Sequence, residues 1–205
     1  YVNWPVDDGA PVIQAANGED SLDEDGYRIP HVIADQTLYA VYNDADPAAH
    51  NNNASSTLPL GVQVQQFVFG YERGGSLGNT IYIAYQIING GDNFLEDAYI
   101  SLWSDPDVGD ASDDFGGCDT ALSLGFAYNE GDDEVYGEGV PAVGFDFLQG
   151  PLVPSPGDSA RFFSFWKHGF RNLPMTSFNN YGNGRDPQNS VETYNYIQGL
   201  EPSGE

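Results

Sequence analysis

Leu60-Gly61-Val62-Gln63-Val64-Gln65-Gln66-Phe67-Val68-Phe69-Gly70-Tyr71 decides the fold class. Val62, Val64, Phe67 and Phe69 are separated by Gln63, Gln65 and Gln66, close to the period of two that puts alternate side chains on one face of a strand. The alternation slips at Gln65-Gln66, and an extra residue there predicts a β-bulge. Arg73-Gly74-Gly75-Ser76-Leu77-Gly78-Asn79 predicts a turn. Thr80 to Asn89 then returns with Ile81, Ile83, Tyr85 and Ile87 at the same period. The two runs predict an antiparallel hairpin.

Outward from that hairpin, short β-rich runs alternate with polar turns. Gln36 to Tyr42 carries Thr37, Leu38, Tyr39, Val41 and Tyr42 and predicts a strand. It leads into Asn43-Asp44-Ala45-Asp46-Pro47 and His50-Asn51-Asn52-Asn53, a loop rich in oxygen donors. Leu95 to Trp103 predicts a strand with Leu95, Asp97, Tyr99, Ser101 and Trp103 on one face, Trp103 packing inward. Thr120 to Tyr128 and Val143 to Leu148 predict two more strands. Asn129 to Glu138 is acidic and Gly-rich and predicts a loop, ordered or not. Pro151 to Asp158 holds three Pro and predicts a linker or turn. Arg161 to Phe170 is aromatic, with Phe162, Phe163, Phe165, Trp166 and Phe170. Val191 to Leu200 fits a strand or a short helix, and residues Tyr1 to Pro30 an irregular entry. No long 3.6-residue period appears. The expectation is an all-β chain: an antiparallel β-sandwich or jelly-roll-like domain over 1–205 with long acidic loops.

The charge balance narrows the partners. Lys and Arg number 6 against 31 Asp and Glu, a formal net charge of -25 with pI ≈ 4.1. Nucleic acid is excluded as a partner, because phosphate binding needs a basic footprint. An anionic membrane surface is excluded on the same ground, and no apolar run approaches the ~18 residues of a membrane span. Such self-repulsion calls for bound cations or screening salt, as in a calcium-loaded extracellular protein or a high-salt habitat. Cys118 is the sole cysteine, so the chain has no internal disulfide. Its acidic surroundings suppress the thiolate and suit a small packing residue. His31, His50 and His168 lie far apart, and no Gly-x-Ser-x-Gly elbow accompanies them.

The acidity concentrates in Asp105-Pro106-Asp107-Val108-Gly109-Asp110-Ala111-Ser112-Asp113-Asp114-Phe115-Gly116-Gly117-Cys118-Asp119. Asp105, Asp107, Asp110, Asp113, Asp114 and Asp119 are candidate ligands of a Ca²⁺ ion, which takes six to eight oxygens at roughly 2.3–2.6 Å. Without a cation, each like pair at ~4 Å and an effective dielectric of ~20 costs about 4 kcal/mol. The alternative is a solvated acidic loop. Scarce imidazole and one thiol argue against transition metals. Asp20, Asp23 and Asp25, in the run Gly18 to Gly26, form a candidate second cation loop without the EF-hand spacing; a solvated turn is the alternative. Trp4 and Trp166 are candidate stacking residues for a sugar, against core packing. Carboxylate pairs for glycoside hydrolysis are uninformative among 31 acids.

A string of motifs adds a resemblance. Tyr85-Gln86-Ile87-Ile88-Asn89 precedes Tyr99-Ile100-Ser101-Leu102-Trp103-Ser104-Asp105-Pro106-Asp107, Gly117-Cys118-Asp119-Thr120 and Leu124-Gly125-Phe126-Ala127-Tyr128-Asn129. Pro141 to Pro151 and Leu173-Pro174-Met175-Thr176-Ser177-Phe178 complete it. The string resembles a segment of large secreted proteins of Bacteroidetes-like bacteria, which often end in a type IX secretion sorting domain. The resemblance implies an extracellular, multidomain protein of which this chain is a fragment. Relatives carry an Asp-x-Asn-x-Asp-Gly-like turn where this chain has Gly18 to Gly26. The expected role is a non-enzymatic, calcium-stabilised structural or adhesive module, or a filament or sheath subunit, contacting other domains or copies of the same protein. The rival roles are a polysaccharide-binding module and a hydrolase.

Overall fold

β-branched and aromatic side chains at a period of two select extended backbone wherever a neighbouring strand can pair it. In the computed structural model, which describes residues 3–49, 57–162, 165–182 and 185–205, the described residues form eight strands and one α-helix. The strands are β1 (Gln36–Asn43), β2 (Val62–Gly70), β3 (Ile81–Asn89), β4 (Asp114–Asp119), β5 (Leu124–Asn129), β6 (Val143–Asp146), β7 (Leu152–Phe162) and β8 (Phe165–Asn172); the helix is α1 (Ser190–Ile197). All pairing is antiparallel, in sheets β1-β2-β3, β4-β5-β6 and β7-β8. The protein is all-β. The chain forms two compact units, Tyr1–Asn51 with Leu58–Phe94, and Asn52–Thr57 with Leu95–Glu205. The donor-rich stretch His50-Asn51-Asn52-Asn53 and Phe163 lie outside the described residues.

In the first unit, β2 is the central strand. Its pairing runs unbroken to Gly70 from Gln63 with β1 and from Val62 with β3, so the slip at Gln65-Gln66 is not a bulge. The strand instead changes which side is apolar. Phe67 and Phe69 share one face with Tyr39 and Tyr82, whereas Val62, Val64 and Val68 share the other with Leu38, Ile83 and Ile87. The residues before β1 pack on the first face. Trp4 lies 6.1 Å from Tyr39, Tyr39 lies 4.8 Å from Phe67, and the Tyr39 hydroxyl donates to the Asp8 carbonyl at 2.8 Å. Phe67 is thereby only 6% exposed. The second face is apolar yet exposed, with Ile81 at 72%. The entry itself is irregular, as expected, with a 3-10 turn at Val6–Asp8 and single bridges Val12↔Pro30, Gln14↔Asp20 and Leu22↔Arg28.

The second unit departs from the expected strand list. Leu95 to Trp103 forms no ladder. Asp97 takes a left-handed φ of 50°, which breaks an extended run, and the segment docks by side chains. The Tyr194 hydroxyl donates to the Asp97 carbonyl at 2.7 Å, and Tyr99 meets the Tyr194 ring edge-on at 5.6 Å. Thr120 to Ser123 is a turn rather than strand, because one Asp119 oxygen accepts the Ala121 and Leu122 amides and Ser123 sits at φ 57°. Pro151 to Asp158, expected as a linker, falls largely inside β7, whose pairing with β8 shifts register between Pro154 and Ser159. That irregularity accommodates two prolines that cannot donate to a ladder. Val191 to Leu200 resolves as helix. Asn189 Oδ1 accepts the Val191 and Glu192 amides while its Nδ2 donates to Glu192, a reciprocal cap spelled by Asn-x-x-Glu.

Candidate cation site

Six aspartates lie in 105–119, and the fold separates them. Asp114 opens β4 and Asp119 closes it, five residues on. At a rise of about 3.3 Å per residue they stand roughly 16 Å apart, too far to share one ion. Asp119 is committed to its own turn, and Asp105 and Asp107 are exposed. What remains together is Asp110, Asp113 and Asp114, with two residues from beyond β5 and at its end. Asn129 pairs with Asp114 across the β4–β5 ladder. Asp133, only 4% exposed, holds the turn that follows.

Asp133 is the organiser of this corner. Its Oδ1 accepts the Val135 and Tyr136 amides at 2.8 and 2.6 Å, and its Oδ2 accepts the Asp110 amide at 2.7 Å. Donation from Asp110 and Tyr136, working against burial, holds the Asp133 carboxyl below its ordinary range. Gly109, at φ 89°, lies close against that carboxylate; a Cβ there would clash with Asp133 Oδ1 and Oδ2. Asp110 in turn accepts the Ser112 amide at 2.9 Å, which also lowers its pKa. Asp114 Oδ2 accepts the Val108 amide at 2.8 Å. Within the stretch 129–138, Asn129 ends β5 and residues 133–137 form a turn closed by the Asp133↔Gly137 bridge.

Four side-chain atoms here are buried without a hydrogen-bond partner: Asp113 Oδ1, Asp114 Oδ1, and Asn129 Oδ1 and Nδ2. Leaving such groups unpaired costs about 1–3 kcal/mol each, and more for a charged group. Three are hard oxygens of the kind Ca²⁺ takes. Among the described residues, however, no three Asp, Glu, His or Cys side chains gather in metal-holding geometry. The corner thus leaves three buried oxygens unpaired without gathering three acidic side chains around one point.

The other candidates are placed apart. Asp23 Oδ1 accepts the Asp25 and Tyr27 amides at 3.0 and 2.8 Å, and Asp20 pairs with Arg28 at 3.5 Å. Asp25 is exposed, so this run is a self-closed turn. Trp4 is packed, its Nε1 donating to the Pro11 carbonyl at 2.9 Å. Trp166 is 61% exposed, with the Arg161 guanidinium 5.2 Å from its ring centroid. Trp103, expected to be inward, is 68% exposed, and its Nε1 donates to the Tyr181 hydroxyl at 2.7 Å. Ser159 and His168 share a 2.8 Å hydrogen bond on the β7–β8 hairpin. Among the described residues no carboxylate hydrogen-bonds to or pairs with that imidazole, so the pair lacks the third member of a triad. Cys118 is half-buried on β4 opposite Gly125.

Asn129 and Asp133 escaped the sequence reading. Asp133 had a signal: an Asp two and three residues before amides it caps, with Gly137 at φ 68° ending the turn. Asn129 had none, because its role comes from the β4–β5 register. No family model, no curated protein and no solved structure matches this chain.

Proposed function

We propose that the chain is a non-enzymatic, calcium-stabilised structural or adhesive module of a secreted or cell-surface protein, working against other domains or other copies of itself. The supporting observation is the set of orphaned oxygens on Asp113, Asp114 and Asn129 beside the Asp133 turn. A Ca²⁺ ion there, completed by backbone carbonyls or water, pairs buried carboxylates that face a region without any Lys or Arg between 105 and 138. Extracellular calcium is abundant enough for a weak site to fill, which fits the secreted setting that the motif resemblance implies. The sandwich or jelly-roll-like layering belongs to the same reading, since the exposed apolar face of β1-β2-β3 is what a second layer would bury.

Thermal unfolding in EDTA, then with Ca²⁺ restored, at matched ionic strength, tests it. An ion that binds only the native state adds RT ln(1 + [L]/Kd) to stability. The expected outcome is a midpoint that falls in EDTA, recovers with Ca²⁺ and not with Mg²⁺, and responds less in Asp114→Asn. A midpoint indifferent to EDTA that climbs steadily with NaCl assigns the acidity to salt and ends the calcium reading.

A further inference from the structure

We propose that the second unit carries a binding surface for a neutral oligosaccharide, with Trp103 and Tyr181 as its stacking platform and Arg185, Asp186 and Glu201 as its polar groups. It goes beyond the structural role and does not depend on calcium. Trp103 is a large apolar ring left mostly in solvent, yet it is held in place. Its indole proton goes to the Tyr181 hydroxyl at 2.7 Å. The Tyr181 ring stacks on Tyr196, with centroids 4.6 Å apart and planes 14° from parallel. Tyr196 is buried and donates its own hydroxyl to the Arg185 carbonyl at 2.7 Å. An exposed ring fixed through two further rings loses little freedom when a ligand lands on it.

Tyr196 is one of the residues lining an open cleft of about 340 Å³, with Arg185, Asp186 and Glu201 among the others, and Trp103 and Tyr181 are joined to that cleft through Tyr196 rather than lining it. That size is within the ~300–1,000 Å³ of small-ligand sites. Among the described residues Arg185 forms no ion pair, so its guanidinium donors remain for a ligand. Glu192, by contrast, is taken by the cap of α1. A pyranose fits this combination: its C–H face lies on an aromatic ring, and its hydroxyls serve both carboxylate acceptors and guanidinium donors. Anionic glycans are disfavoured by the two carboxylates and a net charge of -25. The other tryptophans lack the arrangement, Trp4 being packed and Trp166 lying under Arg161.

The test is calorimetric titration and tryptophan fluorescence of the full chain in Ca²⁺-containing buffer. The probes are hexamers of β-1,4-glucose, β-1,4-mannose and β-1,4-N-acetylglucosamine, with an α-1,4-galacturonate hexamer as the anionic control. At least one neutral hexamer should bind and shift tryptophan emission. Trp103→Ala should weaken it about ten-fold or more, and Tyr181→Phe, which keeps the stack and loses the indole's acceptor, by a smaller factor. Trp166→Ala should leave it within about two-fold. The proposal is overturned if no neutral hexamer binds, if galacturonate binds as tightly, or if Trp103→Ala and Tyr181→Phe both bind like the unaltered chain.

Discussion

The β1-β2-β3 sheet and the turns around β4 and β5 hold one acidic chain by opposite means. Strands of 8, 9 and 9 residues in the first contain no charged side chain at all. Residues 105–138 contain eleven carboxylates and no Lys or Arg. The sheet is held by patterned apolar contacts such as Tyr39 on Phe67. The turns are held by carboxylates that accept backbone amides, as Asp133 does from three residues. The same device edges the sheet: Asp44 accepts the Gly61 and Val62 amides and Asp35 the Glu72 amide. In a chain short of cations, the peptide N–H stands in as the positive partner.

Five substitutions break or sharpen that contrast. Phe67→Ala removes the buried ring of the sheet and should cost about 3 kcal/mol in urea denaturation. Gly109→Ala adds a Cβ at positive φ against a carboxylate pinned by three amides. Gly139→Ala, also at positive φ but in open space, should cost about 1 kcal/mol. Gly109→Ala should cost at least about twice that, and equal losses would show that the Asp133 corner is soft.

Asp133→Asn should lower the thermal midpoint by a few degrees at pH 7. The Asp133 pKa is depressed on folding by amide donation that outweighs burial. Its contribution is therefore complete above the unfolded value of about 3.9 and is lost as pH falls through the folded value. The gap between the two proteins should then close as the medium is taken below about pH 4, and a gap that widens on acidification contradicts the assignment. Ile81→Ala, on the exposed face, should change the stability of the dilute chain by no more than about 0.5 kcal/mol. A larger loss that grows with protein concentration would show that copies of the chain cover that face.

What the sequence made legible follows the same division. Periodicity found β1, β2, β3 and β6 and the hairpin of β2 with β3, because alternation of apolar side chains is itself the cause of those strands. It misread Gln65-Gln66, where one strand serves two apolar faces. It also misread Leu95 to Trp103, whose alternation is genuine while Asp97 turns the backbone left-handed and Tyr194 and Tyr181 take the side chains. The Asp105–Asp119 run was legible as charge. Its partners were not, because an amide donor looks the same at every residue, and only the fold brings the amide of Asp110 to Asp133.

The segment that packs over Phe67 precedes β1, β2 and β3 in the chain. During synthesis the lid of that face is made before the sheet it covers, so Phe67 meets its cover as soon as β2 emerges. The opposite face, with Ile83 and Ile87, gains no such cover from the preceding segment and stays exposed. Order along the chain thus covers one side of the sheet early, while the other stays exposed and is the side an aggregating intermediate would present.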